Sequence, residues 1–200
     1  MNSPSATKQR MVSAAFQLFH QKGIHATTVD QVLEKTQTGK SQFYHYFKNK
    51  EGLIHAVLIG FYDWLRSDSI PVKKRLESWE DLEKWFSFFL ESQKSMQFAR
   101  NCPVSTIGTD LSTEQELLRQ DVRLIFEFTK RSLTDFFSLM RGRGELPSNT
   151  DPESLADFCF TIMQGGLLVS KIKREPAPFE NSVNHAIKYL HSLRRPRKRG

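Results

Sequence analysis

Cysteine is scarce. Cys102 and Cys159 are the only two in 200 residues, with no CxxC and no histidine at ligand spacing beside either. That argues against a zinc site and a disulfide framework; the two could pair only if close in space, and a reducing compartment would keep them apart. Catalytic signatures are missing too. There is no HExxH, no GxSxG, no phosphate-binding loop and no close carboxylate pair with a histidine partner. His20, His25, His45, His55, His185 and His191 are scattered without a relay. No enzymatic activity, cofactor or metal is expected. Period-two alternation is rare and Asn-Gly and Asp-Gly are absent, which removes the usual hairpin signals. No apolar run approaches the length of a bilayer span, and residues 1–12 are too polar for a secretory signal. The expected compartment is the cytoplasm, with no membrane partner.

What is present is charge, unevenly placed. The net charge is +7: seven bases against Asp30 and Glu34 give +5 over residues 1–50, residues 51–100 sum to −1 and 101–160 to −4, and nine bases against Glu175 and Glu180 give +7 over 161–200. A basic N-terminal unit suits a polyanionic partner, although ordinary surface lysines produce the same sum. Apolar and charged residues, at 38% and 26%, are those of a soluble globular chain long enough for one large or two small domains.

Helix starts are frequent. Thr28-Val29-Asp30-Gln31 and Ser112-Thr113-Glu114-Gln115 read as capping boxes, Asn49 and Ser78 precede helical runs, and Asp151-Pro152 places proline at a first helical position. Breakers stand between them: Gly23, Pro71, Pro103, Gly142, Gly144, Pro147, Pro176 and Pro178. The spacing predicts helices over 7–22, 28–35, 39–45, 49–67, 78–95, 103–111, 113–142, 151–172 and 179–193. The fold class is all-α, with a small N-terminal three-helix unit followed by a larger bundle. The expected division is 1–48, then 49–193 with the fourth helix (49–67) connecting the two, then a basic, disordered tail over 194–200.

The stretch TGKSQFYHYFKNKEGL, residues 38–53, mixes rings, hydroxyls and lysines in a way that suits neither a core helix nor a solvated one. The second and third helices are short and joined by a short turn, the length pattern of a helix-turn-helix whose second helix enters the DNA major groove. Gly39 and Ser41 allow close backbone approach, Gln42 suits an adenine edge, and Lys40 a guanine edge or a phosphate. Phe43 and Phe47, four apart, share an inward face, while Tyr44 turns its hydroxyl toward a phosphate. Lys48 and Lys50 stand at the mouth of the next helix, where exposed N–H groups also favour an anion.

Residues 7–53 resemble the DNA-binding half of the TetR family of bacterial transcriptional regulators. The matching elements are Ala14-Ala15-x-x-Leu18-Phe19, Gly23, Thr27-Thr28-Val29, Gly39-Lys40-Ser41-Gln42-Phe43-Tyr44-His45-Tyr46-Phe47 and Lys50-Glu51-x-Leu53. Gln37, where the family often has glycine, and Thr38, where it has an apolar turn residue, depart from the pattern. The resemblance implies an all-helical homodimer that binds a double-stranded operator through its first three helices and holds a small-molecule effector in the rest. Carried over, Thr28, Tyr44, His45 and Lys50 hold phosphates, while Lys40, Ser41 and Gln42 face bases. Tyr44 and His45 have packing between helices as their alternative role, and Tyr46 and Phe47 are expected in the core.

The larger half is rich in Phe and Trp, whose default meaning is core. A hydrophobic effector pocket there follows from the resemblance, with Trp85, Phe89, Cys102, Ile107, Phe126 and Met163 as candidates by position. Gly165 and Gly166 inside a helix suit close helix approach, and Val183, Ile187, Leu190 and Leu193 form a stripe on the last helix. These are the expected dimer contacts; the alternative is that both stripes cover the chain's own core. A ligand-released repressor is the leading expectation. An architectural or activating DNA binder without a ligand, and a thiol sensor built on Cys102, are the alternatives.

Overall fold

The computed structural model describes residues 4–67, 75–97 and 102–195; Pro71, Phe98 and residues 196–200 of the basic tail lie outside the described residues. Among these residues there are nine α-helices and no strand: α1 (Pro4–Lys22), α2 (Val29–Thr36), α3 (Lys40–Phe47), α4 (Lys50–Arg66), α5 (Trp79–Ser95), α6 (Pro103–Thr109), α7 (Glu116–Gly142), α8 (Pro152–Lys173) and α9 (Ala177–Ser192). The caps explain most boundaries. Thr28 Oγ1 accepts from the Gln31 N–H while the Gln31 side chain returns to the Thr28 N–H. Asn49 caps α4 on Gly52, Ser78 and Asp81 cap α5 reciprocally, and Asp151 caps α8 ahead of Pro152.

The expected start of α7 is corrected. Gln115 reaches back to the Ser112 N–H at 3.0 Å, but Arg119 takes the carbonyls of Ser112 and Thr113 at 2.9 and 3.3 Å, so residues 112–115 close a turn and the helix begins at Glu116.

By compactness the chain forms two units. One comprises residues 1–70 with 103–125, so α6 and the first part of α7 pack with α1–α4; the other comprises 71–102 with 126–200. In the first unit Met11, Ala15 and Phe19 repeat every four residues along α1 and are buried, as are Val32, Phe43, Phe47, Leu53 and Val57, with α1 packed on α2 and α4 and α3 on α4. His55 Nδ1 meets Asp121 Oδ2 at 2.6 Å, tying α4 to α7 within this unit.

In the second unit Trp79, Trp85 and Phe86 of α5, Phe136 and Phe137 of α7, Cys159 and Met163 of α8, and Phe179 and Leu190 of α9 build one core. Trp79 Nε1 donates to Glu145 at 3.0 Å. Arg194 lies 4.9 Å over the Trp79 ring and the Arg195 N–H donates to the Glu145 carbonyl, so these two residues, assigned by sequence to the tail, are held on the unit. Contrary to the sequence expectation, one helix, α8, is long and apolar enough to cross a membrane by length and composition. One face of it goes into this core, with Leu155, Ala156, Cys159, Met163 and Leu167 buried, while Leu168, Val169 and Ile172 stay exposed.

The two glycines of α8 separate. A Cβ on Gly166 would overlap the Phe179 ring, so this residue admits α9 of its own chain; a Cβ on Gly165 would meet nothing. Gly166 is therefore corrected from dimer contact to intrachain spacer. Leu190 is likewise corrected: it is fully buried in its own core, and Val183 and Ile187 pack half-buried against that core.

Lys130 joins α7 to α8. Its ammonium lies 2.6 Å from Glu153, 2.8 Å from Asp157 and 3.4 Å from Glu127, and Thr134 donates to Glu153 at 2.9 Å. These acids hold Lys130 above the usual lysine range, and Lys130 with Thr134 holds the Glu153 carboxyl below its ordinary value of 4.5. A depressed carboxylate stabilises the fold above its unfolded pKa and stops doing so as pH falls through the folded one. Glu153→Gln should therefore be less stable than the parent at neutral pH, by under about 1 kcal/mol because the carboxylate is half exposed. The gap should close below pH 4.5 in melts taken across the acid range. Gly166→Ala should cost about 2 kcal/mol or more in urea unfolding, because the Phe179 ring must leave its rotamer or α9 must shift.

Candidate nucleic-acid interface

The region expected to meet a polyanion is built on two buried rings. Phe43 and Phe47, 5.4 Å apart, anchor α3 into the first unit as expected. One turn of the helix places the neighbours outside: Lys40, Ser41, Gln42 and His45 are exposed, and Tyr44 is 56% exposed with its ring edge on Phe43. Tyr46 is half-buried, between the rings of His45 and Phe47.

The side chains of this rim are held lightly. Lys40 pairs with Asp30 at 3.1 Å with both groups largely exposed, an interaction that water and salt weaken. Gln42 Oε1 accepts the Gly39 N–H at 3.4 Å, a long bond at the helix start. Exchanging either for a base edge costs little. The Thr28 hydroxyl accepts from the Gln31 N–H, and a hydroxyl that accepts there still has its proton to give an anion.

The turn between α2 and α3 explains the two departures from the family pattern. Gln37 adopts the left-handed conformation, φ 52°, with no glycine to relieve it, and the Thr38 N–H closes on the Leu33 carbonyl at 3.0 Å. The Thr38 hydroxyl meets that of buried Thr36 at 2.7 Å, so a polar pair stands where an apolar contact is usual.

Lys50 occupies a different place from the one its sequence position suggests. Its ammonium donates to the Ile24 carbonyl, and burial lowers its pKa below the usual lysine range. In this conformation it braces the connection between α1 and α2. Sequence reading missed the groups on the far side of that connection. Asp110, just after α6, accepts the Ile24 N–H at 3.0 Å, and His25 Nε2 lies 2.7 Å from the Asp110 carbonyl. No local motif marks a contact 86 residues apart in the chain.

The effector candidates are brought together in part. Trp85 and Met163 lie in the core of the second unit, and Phe89 and Cys102 pack half-buried against it. Phe126 meets Phe160 at 5.2 Å. Ile107 is buried in the other unit, with α6, because the chain after Cys102 packs there. Cys102 is half-buried with the Gln164 amide 3.9 Å from its sulfur. The Cys159 thiol is sealed in the core and pushed up to about 12 by burial, which keeps it protonated and inert.

Comparison with known proteins agrees with this geometry. Residues 11–57 match the family model of bacterial regulatory proteins, tetR family, and residues 79–186 match the tetracyclin repressor-like C-terminal domain. The chain belongs to the TetR family. Among its relatives are the HTH-type transcriptional repressor ComR of Escherichia coli, 29% identical over 86% of this chain and 81% of that protein, and the transcriptional regulator AcuR of Cereibacter sphaeroides, 26% identical over 88% and 82%. In fold it is similar to a TetR-family regulator of Cytophaga hutchinsonii, with TM-score 0.84, 16% identity and 98% and 99% of the two chains covered. As a TetR-family member it is a DNA-binding transcriptional regulator, and α2 with α3 is its helix-turn-helix.

Gln42→Ala should relax base preference at one or two positions, by about 1–3 kcal/mol of discrimination each. Selection from a randomised DNA pool reads this, and the salt dependence of binding should not move.

Proposed function

We propose that the protein is a cytoplasmic homodimeric repressor, released from a palindromic operator by a hydrophobic small molecule. The observation that carries this reading is the α3 rim: Lys40, Ser41, Gln42, Tyr44 and His45 all exposed over two sealed phenylalanines. In that arrangement Lys40, Ser41 and Gln42 face bases while Thr28, Tyr44 and His45 grip phosphates, which position the helix without reading sequence. Lys50 joins the phosphate grip by exchanging the Ile24 carbonyl for an anion, or assists it by bracing the turn.

Support for the dimer comes from α8 and α9. Leu168, Val169 and Ile172 are large apolar side chains left exposed on α8, Gly165 is open beside them, and Tyr189 is exposed on α9. Isolated apolar residues on a surface are ordinary, but a run of them along one helix calls for a cover. A second copy of the same surface provides it, and two recognition helices about 34 Å apart then span one turn of DNA. Support for a hydrophobic effector comes from the ring-rich second unit, where Trp85, Phe89, Cys102 and Met163 meet in one cluster.

The test joins DNA selection to oligomeric state. The protein should enrich an inverted repeat from a random pool, sediment as a dimer at micromolar concentration, and release the selected DNA with some member of a panel of hydrophobic compounds. Ile172→Glu, at a position 72% exposed, should fold normally, sediment as a monomer and lose most operator affinity. Binding to DNA with no sequence preference and no response to any compound would favour the architectural alternative. A wild-type monomer would remove the dimer.

A further inference from the structure

The connection between α1 and α2, residues 23–28, is held from two sides. Ile24 is buried, and a buried backbone N–H or C=O needs a partner. Its N–H donates to Asp110 Oδ2 at 3.0 Å and its carbonyl accepts from Lys50. His25 Nε2 donates to the Asp110 main-chain carbonyl at 2.7 Å, so Asp110 holds two successive residues of the turn. Gly23, with φ +82°, makes room: a Cβ there would stand 2.6 Å from Asp110 Oδ2. Thr27, buried, closes the loop with its hydroxyl on the Gly23 carbonyl at 2.8 Å. The next residue is Thr28, which caps α2 and leads the helix-turn-helix.

An acid in this position is costly to its surroundings in one respect. The first fifty residues carry a net +5, and a carboxylate packed against a unit that meets DNA subtracts from the attraction. Plain electrostatics therefore disfavours Asp110. Geometry supplies the reason for it: a carboxylate is a strong acceptor for a buried amide.

We propose that Asp110 is a positioning residue for operator binding, a clasp at the end of α6 that fixes the α1–α2 turn and with it the start of α2. This rests on the reading of the protein as an operator-binding regulator. With the clasp made, the turn is ordered before DNA arrives. Without it, the binding-competent arrangement is only part of an ensemble, and apparent affinity falls by the fraction that is competent.

The charge and the hydrogen bond predict opposite outcomes, so two variants separate them. In anisotropy titrations of the full chain against its selected operator, Asp110→Ala should bind about ten-fold more weakly, the worth of one charge-assisted bond. Asp110→Asn removes the same charge but keeps an acceptor, and should bind within about two-fold of the parent or more tightly. The salt slope should be common to all three, because no phosphate contact changes. An alanine variant that binds as well as the parent, or an asparagine variant that loses as much as alanine, overturns the proposal. Should the alanine variant not fold, amide exchange in the parent decides: protection of the Ile24 N–H comparable with helix-interior amides is expected, and free exchange overturns the clasp. A parent chain that binds no DNA would end both this inference and the functional reading; a parent that binds its operator, with variants that give either overturning result, ends this one alone.

Discussion

Two phenylalanine rings, 5.4 Å apart on one side of an eight-residue helix, hold the part of this protein that meets DNA. A helix so short does not persist alone in water. Burying Phe43 and Phe47, with α3 packed on α4, fixes it in place, and the helical period then decides every other orientation on it. Lys40, Ser41, Gln42, Tyr44 and His45 are outside because 43 and 47 are inside. The rim needs no strong contacts of its own to stay in place, and its weak ones, the Lys40–Asp30 pair and the long Gln42–Gly39 bond, are easily given up to a ligand.

Most of the helical architecture was legible in the sequence because it is written in local chemistry. Thr28, Asn49, Ser78 and Asp151 satisfy orphan N–H groups within three residues of themselves, so the starts of α2, α4, α5 and α8 could be read from short windows. The alternation of buried and exposed positions along α3 followed from the period. Where the reading failed, the deciding partner was remote or unexpected. Arg119 converts an apparent capping box at Ser112 into a turn. Phe179 claims Gly166 for the chain's own packing, while Gly165, one residue away, stays open. Leu190 lies in the core because α9 turns that stripe toward α5 and α8, leaving Leu168, Val169 and Ile172 of α8 on the surface instead.

The site shows the same division. Residue types on α3 announce a polar, cationic, hydrogen-bonding rim, and exposure agrees. Lys50 had the right charge and neighbourhood for an anion, yet its ammonium rests on the Ile24 carbonyl, a partner 26 residues earlier. Asp110 and His25 left no trace in any window, since their meeting depends on α6 packing with α1. Among the aromatic residues of the larger half, composition alone cannot tell a wall of a cavity from filling; burial separates Trp85 and Met163 from the half-covered Phe89 and Cys102.

The corner between α2 and α3 carries a further consequence. Many such corners pivot on a glycine, whose backbone swings at little cost. Here Gln37 sits at φ 52° and the hydroxyls of Thr36 and Thr38 are joined across the bend. Rocking α3 against α2 must part that pair and drag a side chain through crowded torsional space. The elbow therefore resists tilting through backbone torsion and one hydroxyl pair, with no added contact on α3 itself.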